Sequence, residues 1–230
     1  MNQFVLAFPI PVAVGEVFAI TENVKVAADT KMVMIPGCSV QFNVVRQPAS
    51  PDVLDIFKER NDLTEDEEKA IVAHKSLLFL LGNVKSMNDV EMVNSAISKM
   101  FAAGAIGVYM QQSGTAWTAD AFDDQFGDGE YPMDAWINII EGEDEKTLYT
   151  LGLAVFTLPD LCISTSIEDP EEALLMAADS LFGDGIPAKS GSIIDWGDDE
   201  KYVLRQELKG LFSKDAPEYN KQGLLRILKK

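Results

Sequence analysis

The chain has 230 residues, of which 37 are acidic and 19 are basic, and its formal net charge is −18. This balance excludes a nucleic-acid backbone as the expected ligand, because phosphate binding needs clustered Lys and Arg. No stretch approaches the roughly 18 apolar residues of a membrane span, and two cysteines with one histidine are too few for a four-ligand zinc site. We therefore expect a cytoplasmic chain with no metal and no cofactor, in which Cys38 and Cys162 are buried free thiols.

The first 46 residues are predicted to form mainly strands. Residues 4–8 are a compact apolar run with no Lys or Arg before it, which favours a buried first strand over a secretory signal. Apolar and polar residues alternate around the turn signal Pro36-Gly37, so residues 32–45 are predicted to be a hairpin.

Helices follow, each with a start signal. Pro51 opens the first, and Thr64 with Glu67 forms a capping box for the second. Strand 75–81, helix 87–103 and strand 105–110 are predicted to be a β-α-β unit with parallel strands. Gly104 and Gly107 lie at the exit of that helix, where a tight turn and close packing explain both better than a phosphate loop does.

The rest of the chain predicts further strands and one more helix. A short helix is expected near residues 119–126, strands at 135–140, 149–156 and 161–165, and a helix from Asp169-Pro170 to Phe182. We predict the α+β class, with a mixed β-sheet sandwich and helices on one face. Residues 1–196 are expected to be a single domain, or two halves at 1–110 and 111–196.

Residues 197–230 are predicted to be a basic C-terminal tail. Eight basic and three acidic residues give residues 201–230 a net charge of +5. The tail is expected to dock on the acidic body and to end in a short amphipathic helix at 223–228, with a partner-seeking tail as the alternative.

Acidic residues concentrate in the middle of the chain. Between positions 100 and 188 there are 17 acids and a single base, Lys146, a net charge of −16. No register of the acidic segment satisfies the EF-hand pattern, since Asp120 as position 1 would put Phe122 at 3 and Gln125 at 6. We interpret region 111–145 as a patch for a basic protein partner, with a solvated loop as the alternative; the candidate residues are Asp120, Asp123, Asp124, Asp128, Glu130, Trp117 and Tyr131.

His74 carries the alternative hypothesis of a small-ligand site or an enzyme. It is the only histidine, and a pocket near His74, Tyr109 and Trp136 would use it as a base. The plainer interpretations are a histidine at a helix C-terminus and core aromatics. No recognisable spacing joins His74 to a nucleophile, so no catalytic residue is predicted.

Several segments carry a family resemblance: Ala105 to Tyr109, Trp136 to Ile140, Tyr149 to Leu153 with Phe156, and Leu158 to Ile163. Together they resemble a bacterial domain-of-unknown-function family, number 4261, over roughly residues 75–186. The resemblance implies a bacterial, cytoplasmic α+β protein with no established activity and no catalytic residues to carry over. Small acidic bacterial proteins of related kind sometimes act as immunity or inhibitor proteins, which is an analogy.

The expected function is therefore a non-enzymatic acidic interaction module, immunity- or inhibitor-like, that binds a basic partner through region 111–145. A further alternative is that the acidic charge serves only to keep the protein in solution. The sequence is also compatible with a homodimer.

Overall fold

A computed structural model describes residues 3–126, 131–143, 145–197, 201–208, 210–216 and 218–230. These residues form two compact units, Gln3–Ala135 and Trp136–Lys230. The boundary at 135/136 differs from the predicted single domain over 1–196 and from halves meeting at 110/111. The reason is that residues 115–118 pair with residues 107–110 in one hairpin, which keeps the chain beyond position 110 in the first unit.

A six-stranded antiparallel sheet organises the first unit. Its order is β4-β5-β6-β1-β7-β8, with β2 and β3 forming a separate two-stranded ribbon. The bounds are β1 Phe4–Ile10, β2 Phe18–Ala19, β3 Lys25–Val26, β4 Met32–Met34, β5 Gln41–Pro48, β6 Ser76–Gly82, β7 Gly107–Met110 and β8 Thr115–Thr118. The apolar N-terminal segment is thus a buried strand, and the hairpin predicted at 32–45 is confirmed as β4 and β5.

The predicted β-α-β unit is present, with one difference. Helix α3 (Met87–Ala102) connects β6 to β7, and both strands run antiparallel to β1. The two strands are therefore parallel to each other, as predicted, but β1 lies between them. Gly104 follows the helix at a φ of +96°, the left-handed turn that glycine adopts at no steric cost.

Three more helices belong to this unit: α1 (Val53–Lys58), α2 (Glu65–Val72) and α4 (Ala119–Phe126). The capping box at α2 is confirmed, since Thr64 Oγ1 accepts from the Glu67 amide at 3.3 Å and Glu67 Oε2 accepts from the Thr64 amide at 2.8 Å. A buried cluster joins α1 and α2 to strands β6 and β8; its members are Val53, Phe57, Ile71, Leu77 and Ala116.

Phe57 packs directly on the backbone of Gly107. A Cβ atom at Gly107 would lie 2.7 Å from Phe57 Cζ and 2.9 Å from the Trp117 carbonyl oxygen. At the end of α1, Asn61 Nδ2 donates to the Phe57 oxygen at 2.9 Å and to the Ala116 oxygen of β8 at 3.1 Å. These contacts fix the end of α1 against β7 and β8.

A second six-stranded sheet, in the order β12-β13-β14-β11-β10-β9, organises the other unit. The bounds are β9 Asn138–Glu141, β10 Thr147–Leu151, β11 Asp160–Ser164, β12 Ile193–Asp195, β13 Lys201–Glu207 and β14 Leu224–Lys229. Helix α5 is Pro170–Phe182, and single 3-10 turns lie at Asp134–Trp136 and Leu153–Phe156. The sheet is mixed, because β11 and β14 are parallel whereas the other neighbours are antiparallel.

The C-terminal segment differs from the predicted tail. Residues 201–207 and 224–229 are strands of this sheet, and the helix predicted at 223–228 is wrong. Leu224, Leu225 and Ile227 of β14 are buried, and Arg226 Nε donates to Glu207 Oε2 of β13 at 2.8 Å. Because side chains on both faces of this segment are buried, a central strand is favoured over a helix with one apolar face.

The α+β class is confirmed, and the sandwich arrangement stays a prediction. Both cysteines are free and buried, as expected. None of the described helices is both long enough and apolar enough to cross a bilayer.

Gly107→Ala should destabilise the protein by about 1–3 kcal/mol, because the new methyl group overlaps Phe57 and the Trp117 carbonyl. Gly15→Ala is the matched control, since nothing lies within 4 Å of a Cβ atom at that position. Urea unfolding followed by circular dichroism measures both. Equal stability of the two variants would contradict the close packing of α1 on β7.

Candidate functional site

Helix α4 carries three of the predicted partner-binding carboxylates. Asp120, Asp123 and Asp124 are exposed, whereas Phe122 and Phe126 are buried. Phe122 packs edge-on against Phe101 of α3, with ring centroids 5.6 Å apart. The acidic segment is therefore a helix face held in place by its apolar side and, up to residue 126, not a loop.

Two of these carboxylates share a concave surface with Trp117. Asp120 and Asp124 are four residues apart and lie on one helix face. They line a concavity of about 440 Å³ that we call the acidic groove; its other residues are Arg60, Asn61, Asp62, Thr64, Glu67, Trp117, Thr118 and Ala121. Asp123 is not among them, and its Oδ1 accepts a hydrogen bond from Ser98 Oγ of α3 at 3.3 Å.

The second wall of the acidic groove comes from the segment that runs from the end of α1 into the first turn of α2. This segment contributes Asp62, Glu67 and Arg60. The groove therefore holds four carboxylates and one guanidinium, a net charge of 1 − 4 = −3. Opposing carboxylates on two separate elements make the concavity a site of negative potential.

Glu67 is held in its charged form. Hydrogen bonds from the backbone and side chain of Thr64, and a further one from Thr118, lower the pKa of Glu67. The capping box thus has a second consequence, since it orients one carboxylate of the groove.

Trp117 is fixed in orientation. Its Nε1 donates to the Ala135 carbonyl oxygen at 3.0 Å, and its ring packs edge-on against Phe126 with centroids 4.9 Å apart. A ring that is already ordered loses little conformational entropy when a partner binds.

The remaining partner-binding candidates lie elsewhere. Asp128 and Glu130 fall outside the described residues. Tyr131 is 59% exposed, has a left-handed φ of 49°, and is not a lining residue of the acidic groove. The acidic groove therefore covers only part of region 111–145, and it also contains residues from segment 60–67, which the sequence analysis did not propose.

His74 is held in place by hydrogen bonds to the backbone. Its Nδ1 lies 2.6 Å from the Ile71 carbonyl oxygen, and its Nε2 accepts from the Ser50 amide at 3.3 Å. A carbonyl oxygen only accepts, so the hydrogen is on Nδ1. With 8% of its surface exposed and both ring nitrogens bonded to backbone, His74 ties the end of α2 to the start of α1.

Tyr109 and Trp136, the other two residues of the alternative pocket, lie in different units from each other. Tyr109 packs against the cluster around Phe57 in the first unit. Trp136 begins the second unit, where it is buried with its ring centroid 6.1 Å from that of Phe156. Neither lines the acidic groove or the cavity described next.

A carboxylate that the sequence analysis missed lies in the second unit. Asp160, which directly precedes the strand predicted at 161–165, is the first residue of β11 and is only 8% exposed. Burial raises the pKa of Asp160 to about 7, against the opposing effect of hydrogen bonds with Asn220 and the Leu153 backbone. Asp160 lines a cavity of about 360 Å³, which we call the Asp160 cavity.

Comparison with family models, with curated proteins and with solved structures finds no match to this chain. The resemblance to family 4261 therefore stays a prediction. Among the residues that the structure describes, no three His, Cys, Asp or Glu side chains are grouped so that they could hold a metal ion.

The stability of the protein should fall as the pH rises from about 4 to about 7. In that window the folded chain keeps a proton on Asp160 that the unfolded chain, with an ordinary pKa of 3.8, has released. Asp179 acts in the same direction, because burial and then the charge of Asp184 raise its pKa to about 6.

Asp160→Asn should flatten this decline, removing on the order of 3 kcal/mol of the difference between pH 4 and pH 8. Urea unfolding at a series of pH values measures it, with the exposed Asp215→Asn as the control. A slope as steep in Asp160→Asn as in the unchanged protein would show that Asp160 is not the titrating group.

Proposed function

We propose that the protein is a non-enzymatic interaction module whose acidic groove docks a Lys- or Arg-rich segment of a partner protein. The observation that carries the proposal is that Trp117, Asp120 and Asp124, predicted as partner-binding residues, share one concavity with Asp62 and Glu67. Carboxylates from two elements can contact a basic side chain from both sides.

The chemistry of the acidic groove supports a cationic partner. An ammonium or guanidinium group gains charge-assisted hydrogen bonds from the carboxylates. The Trp117 ring adds a flat, polarisable surface for the same group. The remaining acidic surface raises the association rate of a basic partner and disfavours acidic ones.

The size of the acidic groove supports a side chain or short segment as the bound element. A concavity of about 440 Å³ holds a few basic side chains and not a whole domain, so a partner would anchor there through one segment. Such an anchor is the type of contact on which interfaces depend energetically.

Charge reversal in the acidic groove should abolish partner capture. Immobilised protein is exposed to lysate of the source cell at low and at moderate salt, and captured basic proteins are identified. The Asp120→Lys/Asp124→Lys variant should lose them. Asp123→Lys/Glu143→Lys, which makes the same charge change at exposed positions outside the groove, should retain them.

Higher salt should weaken capture by the unchanged protein, because exposed charges are screened over about 8 Å at physiological ionic strength. Equal loss in both variants would indicate attraction by net charge alone. Equal retention in both would show that the acidic groove does not bind the partner. Either result contradicts the proposal.

A further inference from the structure

Strand β4 is an edge strand of the first sheet, in which β5 is its neighbour. Just before β4 begins, the Val44 amide donates to the Lys31 carbonyl oxygen at 2.8 Å. Hydrogen-bonded and non-hydrogen-bonded pairs alternate along an antiparallel ladder. Val33 therefore shares its hydrogen bonds with β5, whereas the amide and carbonyl groups of Met32 and Met34 point away from the sheet.

The outward groups of this edge are open. Among the residues that the structure describes, no hydrogen bond reaches the backbone of Met32 or Met34 from outside the ladder with β5. A strand edge with open amide and carbonyl groups is a template for the addition of one more strand. The edge of β4 is therefore able to accept an extended segment in antiparallel or parallel pairing.

The edge of β4 is its own complement under a two-fold axis. When two β4 strands lie antiparallel with Val33 opposite Val33, Met32 of each copy lies opposite Met34 of the other. Each of these two pairs exchanges two hydrogen bonds, because all the groups involved point outward. The same patch then serves both copies, as a closed symmetric dimer requires, and the two sheets continue into each other.

The side chains on one face of this edge are apolar and exposed. Met32 and Met34 are 50% and 57% exposed, and Val45 of β5, on the same face, is 43% exposed. The cluster around Phe57 covers another part of this face, at Leu77. Pairing of two β4 strands would place the methionines of both copies in contact, and their flexible thioether side chains adapt well to such an interface.

Charge also favours a second copy at this edge. A chain with a formal net charge of −18 repels its own copies wherever acidic surfaces meet. Lys31 alternates to the opposite face of β4. The side chains of β4 and β5 on the exposed face are all uncharged: Met32, Met34, Gln41, Asn43, Val45 and Gln47. Two acidic copies can therefore approach here without bringing like charges together.

We propose that the protein forms a two-fold symmetric dimer in which the β4 strands of two copies pair antiparallel and join the two first sheets. No residue of β4 lines the acidic groove. The dimer therefore leaves one acidic groove open on each copy, and it does not depend on the proposed function.

Sedimentation equilibrium of the purified full chain tests the dimer. The average mass should rise from 25.2 kDa at about 1 µM towards twice that value at about 200 µM, since association follows mass action. Hydrogen exchange at the Met32 and Met34 amides should slow by about fivefold or more over this range, because only the dimer bonds them. A monomer at every concentration would overturn the proposal, as would a dimer in which these amides exchange at an unchanged rate.

Two variants alter the edge in different ways. Met34→Pro removes an outward amide, and with it two of the four hydrogen bonds of the dimer, while the ladder between β4 and β5 is kept. Met32→Lys/Met34→Lys keeps the amides and places ammonium groups at the junction, a common protection of strand edges. Each should raise the Kd of the dimer by about tenfold or more.

Val17→Lys/Val72→Lys is the matched control for the lysine variant. Val17 and Val72 are 51% and 66% exposed in the same unit and belong to neither β4 nor β5. Both lysine variants lower the net negative charge equally, so only a local effect can separate them, and the control should keep its Kd within about twofold. A dimer that persists in the folded β4 variants, or an equal loss in the control, would contradict the proposal.

Discussion

The contact between Phe57 and the backbone of Gly107 is the constraint on which the acidic groove depends. Only a residue without a side chain lets the ring approach β7 this closely. The contact holds α1 on the sheet, and Asn61 then bonds the end of α1 to β8. Residues 60–67, which follow α1, thereby share a concavity with α4, so one packing contact helps to bring together carboxylates that are more than 50 residues apart in sequence.

In the second unit, packing also determines where an acidic residue lies, but there it buries the carboxyl group instead of exposing it. Strand β14 pairs with both β11 and β13, so the basic C-terminal segment becomes the interior of a sheet. Its pairing also brings Leu224 beside Asp160. The acidic groove leaves its carboxylates in contact with solvent, whereas this arrangement buries one carboxyl and raises its pKa to about 7. The difference in burial alone leaves one group of acids at the surface and makes Asp160 a carboxyl that keeps its proton up to about pH 7.

Local patterns predicted much of the fold, and long-range pairing accounts for what they missed. Alternation and capping signals at 32–45, 64–67 and 87–103 were sufficient for the hairpin, the capping box and α3. Nothing local could show that β1 inserts between β6 and β7, or that residues 224–229 pair with β11. For the site, Trp117, Asp120 and Asp124 were predicted, but Glu67 was recognised only as a cap. Asp160 was overlooked because Pro159 before it indicates a turn, although the apolar run after it was the available signal of burial.

The measurement that tests the central claim most directly is a nuclear magnetic resonance titration of isotope-labelled protein with penta-lysine. If the acidic groove is a docking site, amide shifts should saturate and concentrate at residues 60–67 and 117–124. Shifts spread evenly over other exposed acids, such as Glu143 and Glu171, would contradict it. That result would mean that the acidic side chains attract cations as a diffuse surface and that the groove recognises nothing.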